Sequence, residues 1–325
     1  MNCNYCEWRC SLTRGEGRCR MYTFKDGVIQ EKYPFTWSRC QAEEIEKVPI
    51  FHFLPDERIL QLGSFNCNAS CAYCMNASIA EPQQELATFV LQPEQVVTLA
   101  KRGQYKIIHF GINEVTVSLP SALKIAALAR QNGILTGCST NGFLTEEAAA
   151  AAAAAFDFFN LSLKSLQDSF YRQHLGLPTV APVLRNIRYL AQHTHLEITT
   201  PITKDNEGEI PALAAWLASV NKKIPWHLFR LLPAHKLEHA APPAVMTLVN
   251  TVTALEDKPY YIYIGNFVGS KWVNTHCRHC GETVITRLSD GACGARLQAN
   301  YLKQDLCPHC GSRQDIVVEV NKCTA

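Results

Sequence analysis

Apolar positions in the middle of the chain follow two alternating patterns. Short runs rich in β-branched and aromatic residues read as strands at about Arg58–Phe65, Lys106–Phe110, Ile134–Cys138, Phe158–Leu163, Leu196–Pro201, Trp226–Arg230 and Tyr260–Ile264. Longer stretches with helical spacing separate them, near Pro93–Lys101, Ser121–Gln131, Thr145–Ala155, Val183–Gln192, Ile210–Val220 and Ala244–Leu255. A helix between successive strands lets the chain return to the same end of the sheet, so the strands run parallel. Six or seven such units predict an α/β fold, a partial (β/α) TIM-like barrel rather than a sandwich. Thr145 followed by Glu146, Glu147 and eight alanines predicts a capped helix: the hydroxyl accepts a free backbone N–H and the acids suit the positive helix end. The alanine run itself reads as plain structure.

With 325 residues and 47% apolar content the chain can bury a core and is long enough for about two domains. Its charges nearly cancel, 31 − 29 = +2, so no basic field covers it and nucleic acid is not an expected partner. Met1–Cys10 is neither basic nor apolar, and the longest apolar run, Ala148–Phe156, is too short to cross a bilayer. A cytoplasmic protein with no membrane partner is expected. Fifteen cysteines then point to metal rather than disulfides, and eleven of them fall into three groups. These groups divide the chain into a Cys-rich head (1–48), the barrel (49–268) and a Cys-rich tail (269–325), with joints near Glu43–Val48 and Gly265–Lys271. Cys40, Cys138, Cys293 and Cys323 are left over.

The middle group, Cys67, Cys71 and Cys74, directly follows the first barrel strand, at the end where such barrels carry their chemistry. Three thiolates are one short of a closed zinc site or a four-iron cubane. An iron without a protein ligand can take a chelating substrate while the other three hold the cluster. Cys-x3-Cys-x2-Cys with Tyr73 before the last cysteine resembles the radical S-adenosylmethionine (SAM) superfamily. In that family the amino-acid end of SAM chelates the open iron of a [4Fe-4S] cluster. One electron then breaks the S–C5′ bond, and the 5′-deoxyadenosyl radical takes a hydrogen atom from substrate. The resemblance sets Tyr73 against cluster and nucleotide; packing alone is the plainer reading.

Further segments extend the resemblance. Gly111-Ile112-Asn113-Glu114 matches the Gly/Glu-type segment that receives the SAM ammonium, which makes Glu114 its acceptor. Ser139-Thr140-Asn141-Gly142, Leu161-Ser162-Leu163-Lys164 and Leu231-Leu232-Pro233-Ala234-His235-Lys236 resemble segments of glycyl-radical-enzyme activases. By that match Asn141 positions the cofactor and His235 contacts its ribose. The narrowest match is the radical enzyme of the AmmeMemoRadiSam system, a pyruvate formate-lyase activating enzyme-like family. It rests on Glu46–Pro55, Trp226–Arg230, Phe170–Arg172 and both Cys-rich ends, and spans nearly the whole chain. Ser139 and Ser162 stand where those activases carry carboxylates, so a monovalent cation site is not expected. Thr199–Asp205 lacks the family's Pro-Gly turn.

Cys277-x2-Cys280 and Cys307-x2-Cys310, 26 residues apart and each followed by a glycine, Gly281 or Gly311, are the two knuckles of a zinc ribbon. The zinc would hold together a tail with little core of its own. Cys293 has no partner at ligand spacing. In the head, Cys3, Cys6, Cys10 and Cys19 can hold zinc or an auxiliary iron–sulfur cluster; zinc is the first reading.

Together these predict an iron–sulfur oxidoreductase of the radical SAM type, activating a glycyl-radical enzyme. A one-electron donor such as flavodoxin or ferredoxin and a protein or peptide substrate are the implied partners. Radical modification of a small molecule or another peptide is the alternative within the class. A metal-binding RNA or protein adaptor with a redox-sensing cluster is the alternative outside it.

Overall fold

The computed structural model describes residues 1–320; Cys323 lies outside them. Its centre is one eight-stranded sheet: β1 (Arg39–Glu44), β2 (Arg58–Gly63), β3 (Ile107–Phe110), β4 (Leu135–Thr140), β5 (Phe158–Ser162), β6 (His195–Ile202), β7 (Trp226–Arg230) and β8 (Ile262–Gly265). The strands lie in sequence order, β2 to β8 parallel and β1 antiparallel against β2. Among the described residues the edges β1 and β8 do not pair, so the barrel is partial. Helices α1 (Pro93–Arg102), α2 (Leu119–Gln131), α3 (Glu146–Ala155), α4 (Ala181–His193), α5 (Ile210–Val220) and α6 (Val245–Thr253) follow β2 to β7 in turn.

These elements form because both faces of the parallel strands are covered. All of β3 is buried, and so is β5 except Ser162, which is why they read as apolar runs rather than alternating ones. Gly137 faces Phe158 in register, and a Cβ there would lie 2.3 Å from the Phe158 ring, so only glycine lets the two strands meet. The Thr145 hydroxyl accepts the Ala148 N–H at 3.1 Å, the expected cap. Every strand and helix end expected for the barrel is met to within two residues.

The pattern missed β1. It falls inside the expected head and pairs residue by residue with β2, from Arg39 with Gly63 to Glu44 with Arg58. The head also contains a hairpin, Tyr22–Lys25 with Val28–Glu31, turned at Asp26-Gly27, where both φ angles are positive.

The tail docks under the barrel. Buried Glu197 of β6 accepts the N–H groups of Phe51 and His52 and is bonded by the His195 and His227 rings at 3.0 and 2.7 Å. Burial alone would raise its pKa, but these histidines hold it well below the usual carboxylate range. Fully buried Arg287 of the tail strand β9 (Thr283–Asp290) donates to the Phe51 carbonyl at 2.9 Å and lies over the Phe51 ring. No helix among the described residues is long and apolar enough to cross a membrane.

Candidate active site

The loop after β2 carries Cys67, Cys71 and Cys74, and main-chain bonds from three directions fix its course. Ser70 and Ala72 donate to the carbonyls of Leu175 and His174 at 2.8 and 2.7 Å, and Leu237 donates to the Ala72 carbonyl at 3.1 Å. Asn66, with φ 61°, makes the sharp turn into the loop, and its carbonyl accepts from the Asn113 side chain at 2.9 Å. The head adds a further contact, Trp8 Nε1 donating to the Asn68 carbonyl at 2.7 Å.

The three cysteines share a cavity of about 270 Å³ with side chains from the C-terminal ends of the strands. Tyr73, Glu114, Asn141, Lys164 and Asn266 line it, and so does Cys293 from the tail. Burial pushes the Cys67 and Cys71 thiols up and Cys74 to about 11, so at neutral pH they hold protons until a metal displaces them. The Lys164 ammonium opposes that rise at Cys71 and Cys74 and lies 5.8 Å from the Tyr73 ring centroid.

Glu114 is 3% exposed. Its Oε1 accepts from Thr116 N and Thr140 Oγ1 at 3.1 and 2.9 Å, and its Oε2 from Asn141 N at 2.7 Å. A carboxylate offers about four acceptor positions, so one on Oε2 stays open towards a cationic ligand. Burial raises its pKa and these donors partly offset the rise; an ammonium beside it would lower it further. The Asn141 amide is engaged: it donates to Asn68 Oδ1 at 2.6 Å and accepts from Phe143 N at 3.0 Å. Tyr73 Oη and Asn266 Oδ1, both buried in the cavity wall, have no protein partner.

His235 stands apart from the cavity lining. Its short turn rests on the cluster loop through Leu237, and its buried Nε2 has no partner. Lys164, Asn266 and Cys293 are the site residues that sequence reasoning did not assign. Lys164 was visible in the Leu-Ser-Leu-Lys segment, whereas Asn266 and Cys293 carry no local signal.

In the tail, the ligand sulfurs of Cys277, Cys280, Cys307 and Cys310 all lie within 4.8 Å of one another. Gly281 and Gly311 hold φ of 79° and 71°, the left-handed turn that closes each knuckle. All fourteen described cysteines are free thiols.

The model of the radical SAM superfamily matches residues 63–217, from the last residue of β2 into α5. Residues 63–217 are a radical SAM domain. Over 98% of its length the chain is 29% identical to an uncharacterized protein of Methanocaldococcus jannaschii, 96% of which is covered. It is 25% identical to the choline trimethylamine-lyase activating enzyme of Oleidesulfovibrio alaskensis, over 40% of this chain and 43% of that one. Among solved structures it is similar to Streptococcus suis SuiB bound to S-adenosylmethionine, at 15% identity and a TM-score of 0.49, over 63% of this chain and 51% of that one.

A radical SAM domain implies a [4Fe-4S] cluster and SAM, and the residues present fit both. Three thiols on one loop would supply the cluster's protein ligands and leave one iron open. Glu114, with an acceptor position left on its carboxylate, lines the same cavity.

Proposed function

We propose that this protein is a radical SAM enzyme that activates a glycyl-radical protein, working in a reducing compartment such as the cytoplasm. The observation that carries the reading is the joining, in one cavity, of three loop thiols with a buried carboxylate that keeps one acceptor position. When bound, the cluster supplies the electron that cleaves SAM to methionine and a 5′-deoxyadenosyl radical able to abstract hydrogen. Cys67, Cys71 and Cys74 hold the cluster. Glu114 receives the SAM ammonium, Tyr73 packs beside the nucleotide, and Asn141 acts by keeping Asn68 and the cluster loop in place. His235 reaches the ribose only if its turn shifts towards the cavity.

The choice of a glycyl-radical protein rests on the activase-like segments and on the partial identity to a lyase-activating enzyme. Flavodoxin or ferredoxin is the proposed electron donor, and zinc the proposed ion of the tail. The test is anaerobic. Iron and sulfide are reconstituted, the protein is reduced with dithionite, SAM is added, and 5′-deoxyadenosine is measured with Cys71→Ala as the control. Product from the wild type alone supports the enzyme. A four-iron protein that forms no product with or without a glycyl-radical protein, yet binds RNA or protein, would point instead to an adaptor.

A further inference from the structure

The cluster loop borders two cavities. Its inner face, with Cys67, Cys71 and Cys74, lines the reaction cavity. Its outer face opens on a second cavity of about 300 Å³, lined by Asn66, Cys67 and Ser70 of the loop, by Arg18 and Arg20 of the head, and by Glu81. Of the three loop cysteines only Cys67 lines both. With SAM and substrate in the inner cavity, a reductant has to reach the loop from its outer face, and Cys67 is the residue that the two faces share.

The rim of the outer cavity is charged and held in shape. The Arg18 guanidinium carbon lies 4.4 Å from the Trp8 ring centroid, and its Nη2 donates to the Gly176 carbonyl at 3.3 Å. A Cβ on Gly176 would lie 3.0 Å from that nitrogen and 3.5 Å from Ser70 Cβ, so glycine, at φ 62°, leaves the arginine its place beside the loop. Cys3, Cys6, Cys10 and Cys19 gather around a separate space of about 10 Å³ that Arg18 also lines, so the fold of the head sets where Arg18 stands. Arg20 reaches into solvent, with 73% of its side chain exposed. Glu16, 3.7 Å from Arg20, is shared with Lys32, and Glu81 is the acid in the cavity wall. Three cations thus meet two carboxylates, and the rim is positive.

A positive rim around a polar opening suits a partner that is acidic and docks briefly. Electron-transfer encounters bury little area, below about 1,200 Å², so they need no large apolar face, and opposite charge speeds them. We propose that the outer cavity, with Arg18 and Arg20 on its rim, is the docking site of an acidic one-electron donor protein, which there stands beside Cys67. The donor is oxidised by one electron and the cluster reduced by one; no proton or leaving group moves.

The docking surface rests on the proposed function for its purpose, so the test reads binding as well as reduction. Flavodoxin is the probe. Binding of oxidised flavodoxin to the anaerobically reconstituted protein is titrated at low and high salt, and reduction by flavodoxin hydroquinone is followed by stopped-flow absorbance. Arg20→Glu and Arg18→Gln/Arg20→Glu are compared with wild type and with Arg313→Glu, a tail arginine whose side chain is 80% exposed. The double variant is expected to lose about tenfold in affinity and in second-order rate at low salt, and less at high salt, while excess dithionite still reduces every protein fully. Wild-type binding and rate in the double variant overturn the proposal, as does an equal loss in Arg313→Glu. Should the double variant not fold, the exposed Arg20→Glu decides, with an expected loss of about threefold. If binding depends on the two arginines but the protein holds no reducible iron, the proposed function fails and the docking surface stands. A reducible cluster with no dependence on the arginines refutes the surface alone.

Discussion

Replacing Lys164 with methionine tests the electrostatics of the cluster loop without removing a ligand. Lys164 is 9% exposed in the cavity wall, and its charge acts on both Cys71 and Cys74. Its Nζ lies 5.8 Å from the Tyr73 ring centroid, between those two cysteines in sequence, which sets the scale of its reach. A unit charge at about 6 Å and an effective dielectric of about 20 contributes about 3 kcal/mol. Reduction adds negative charge to the cluster, so loss of the ammonium disfavours the reduced state. At 59 mV per tenfold for one electron, the midpoint potential falls by about 120 mV. Methionine has nearly the same length, and trading a buried charge for an apolar group is often neutral or stabilising, so the variant is expected to fold. The assay is a redox titration of the cluster signal without SAM, with Lys164→Arg as the charge-conserving control. An unchanged potential in Lys164→Met with its full iron complement would refute the argument.

Three other outcomes are expected. Cys71→Ala loses a proposed cluster ligand and forms no 5′-deoxyadenosine above background, read by chromatography against wild type. Cys280→Ala loses the metal proposed for the tail, read by metal analysis, and becomes protease-sensitive after about residue 270, while the proposed central iron survives. Glu46, 1% exposed, has its pKa pushed up to about 7 by burial, against the pull of Arg287. Because the folded pKa exceeds the unfolded value, the native state holds the extra proton at low pH and loses that stabilisation as pH rises from about 4.5 to about 7. The loss amounts to about 3 kcal/mol. Glu46→Gln removes it, so denaturant midpoints of the two proteins should diverge over that window; parallel curves contradict the assignment.

Barrel, cluster loop and tail knuckles were legible because each leaves a local mark: buried parallel strands give apolar runs, and thiolate sites give fixed spacing. β1 left none. Its sequence, Arg-Cys-Gln-Ala-Glu-Glu, has no apolar alternation, since it is an edge strand only half covered and held mainly by backbone bonds to β2. The Asp26-Gly27 turn did carry a hairpin signal, but the strands around it are short and partly exposed. Glu114 and Asn141 were placed at the cavity from segment resemblance. That Asn141 spends its amide on Asn68 emerges only from three-dimensional contact, as does the gathering of Lys164, Asn266 and Cys293 from three distant segments.

The position of Cys293 follows from the barrel's being incomplete. An open barrel exposes its lumen between the unpaired edges β1 and β8, and a solvent-filled gap there would quench a radical before it met substrate. The tail fills that gap. Val268-Gly269, just past β8, pairs with Asp290 and Ser289 of β9, and the Asp290 carboxylate also pairs with Lys47, just past β1, at 2.7 Å. One residue thus ties both edges. Ala295 donates to the Glu46 carbonyl at 3.2 Å, and Gly294 at φ 72° passes so close to that carbonyl that a Cβ would lie 2.0 Å from it. This close passage brings Cys293 to the cavity wall. Below, the Glu197 cluster with Phe51 and His52 seals the barrel floor. With side and floor closed, the approach left for a substrate is over the C-terminal ends of the strands, where the cluster loop lies. The tail therefore supports this wall through Asp290, Gly294 and Ala295.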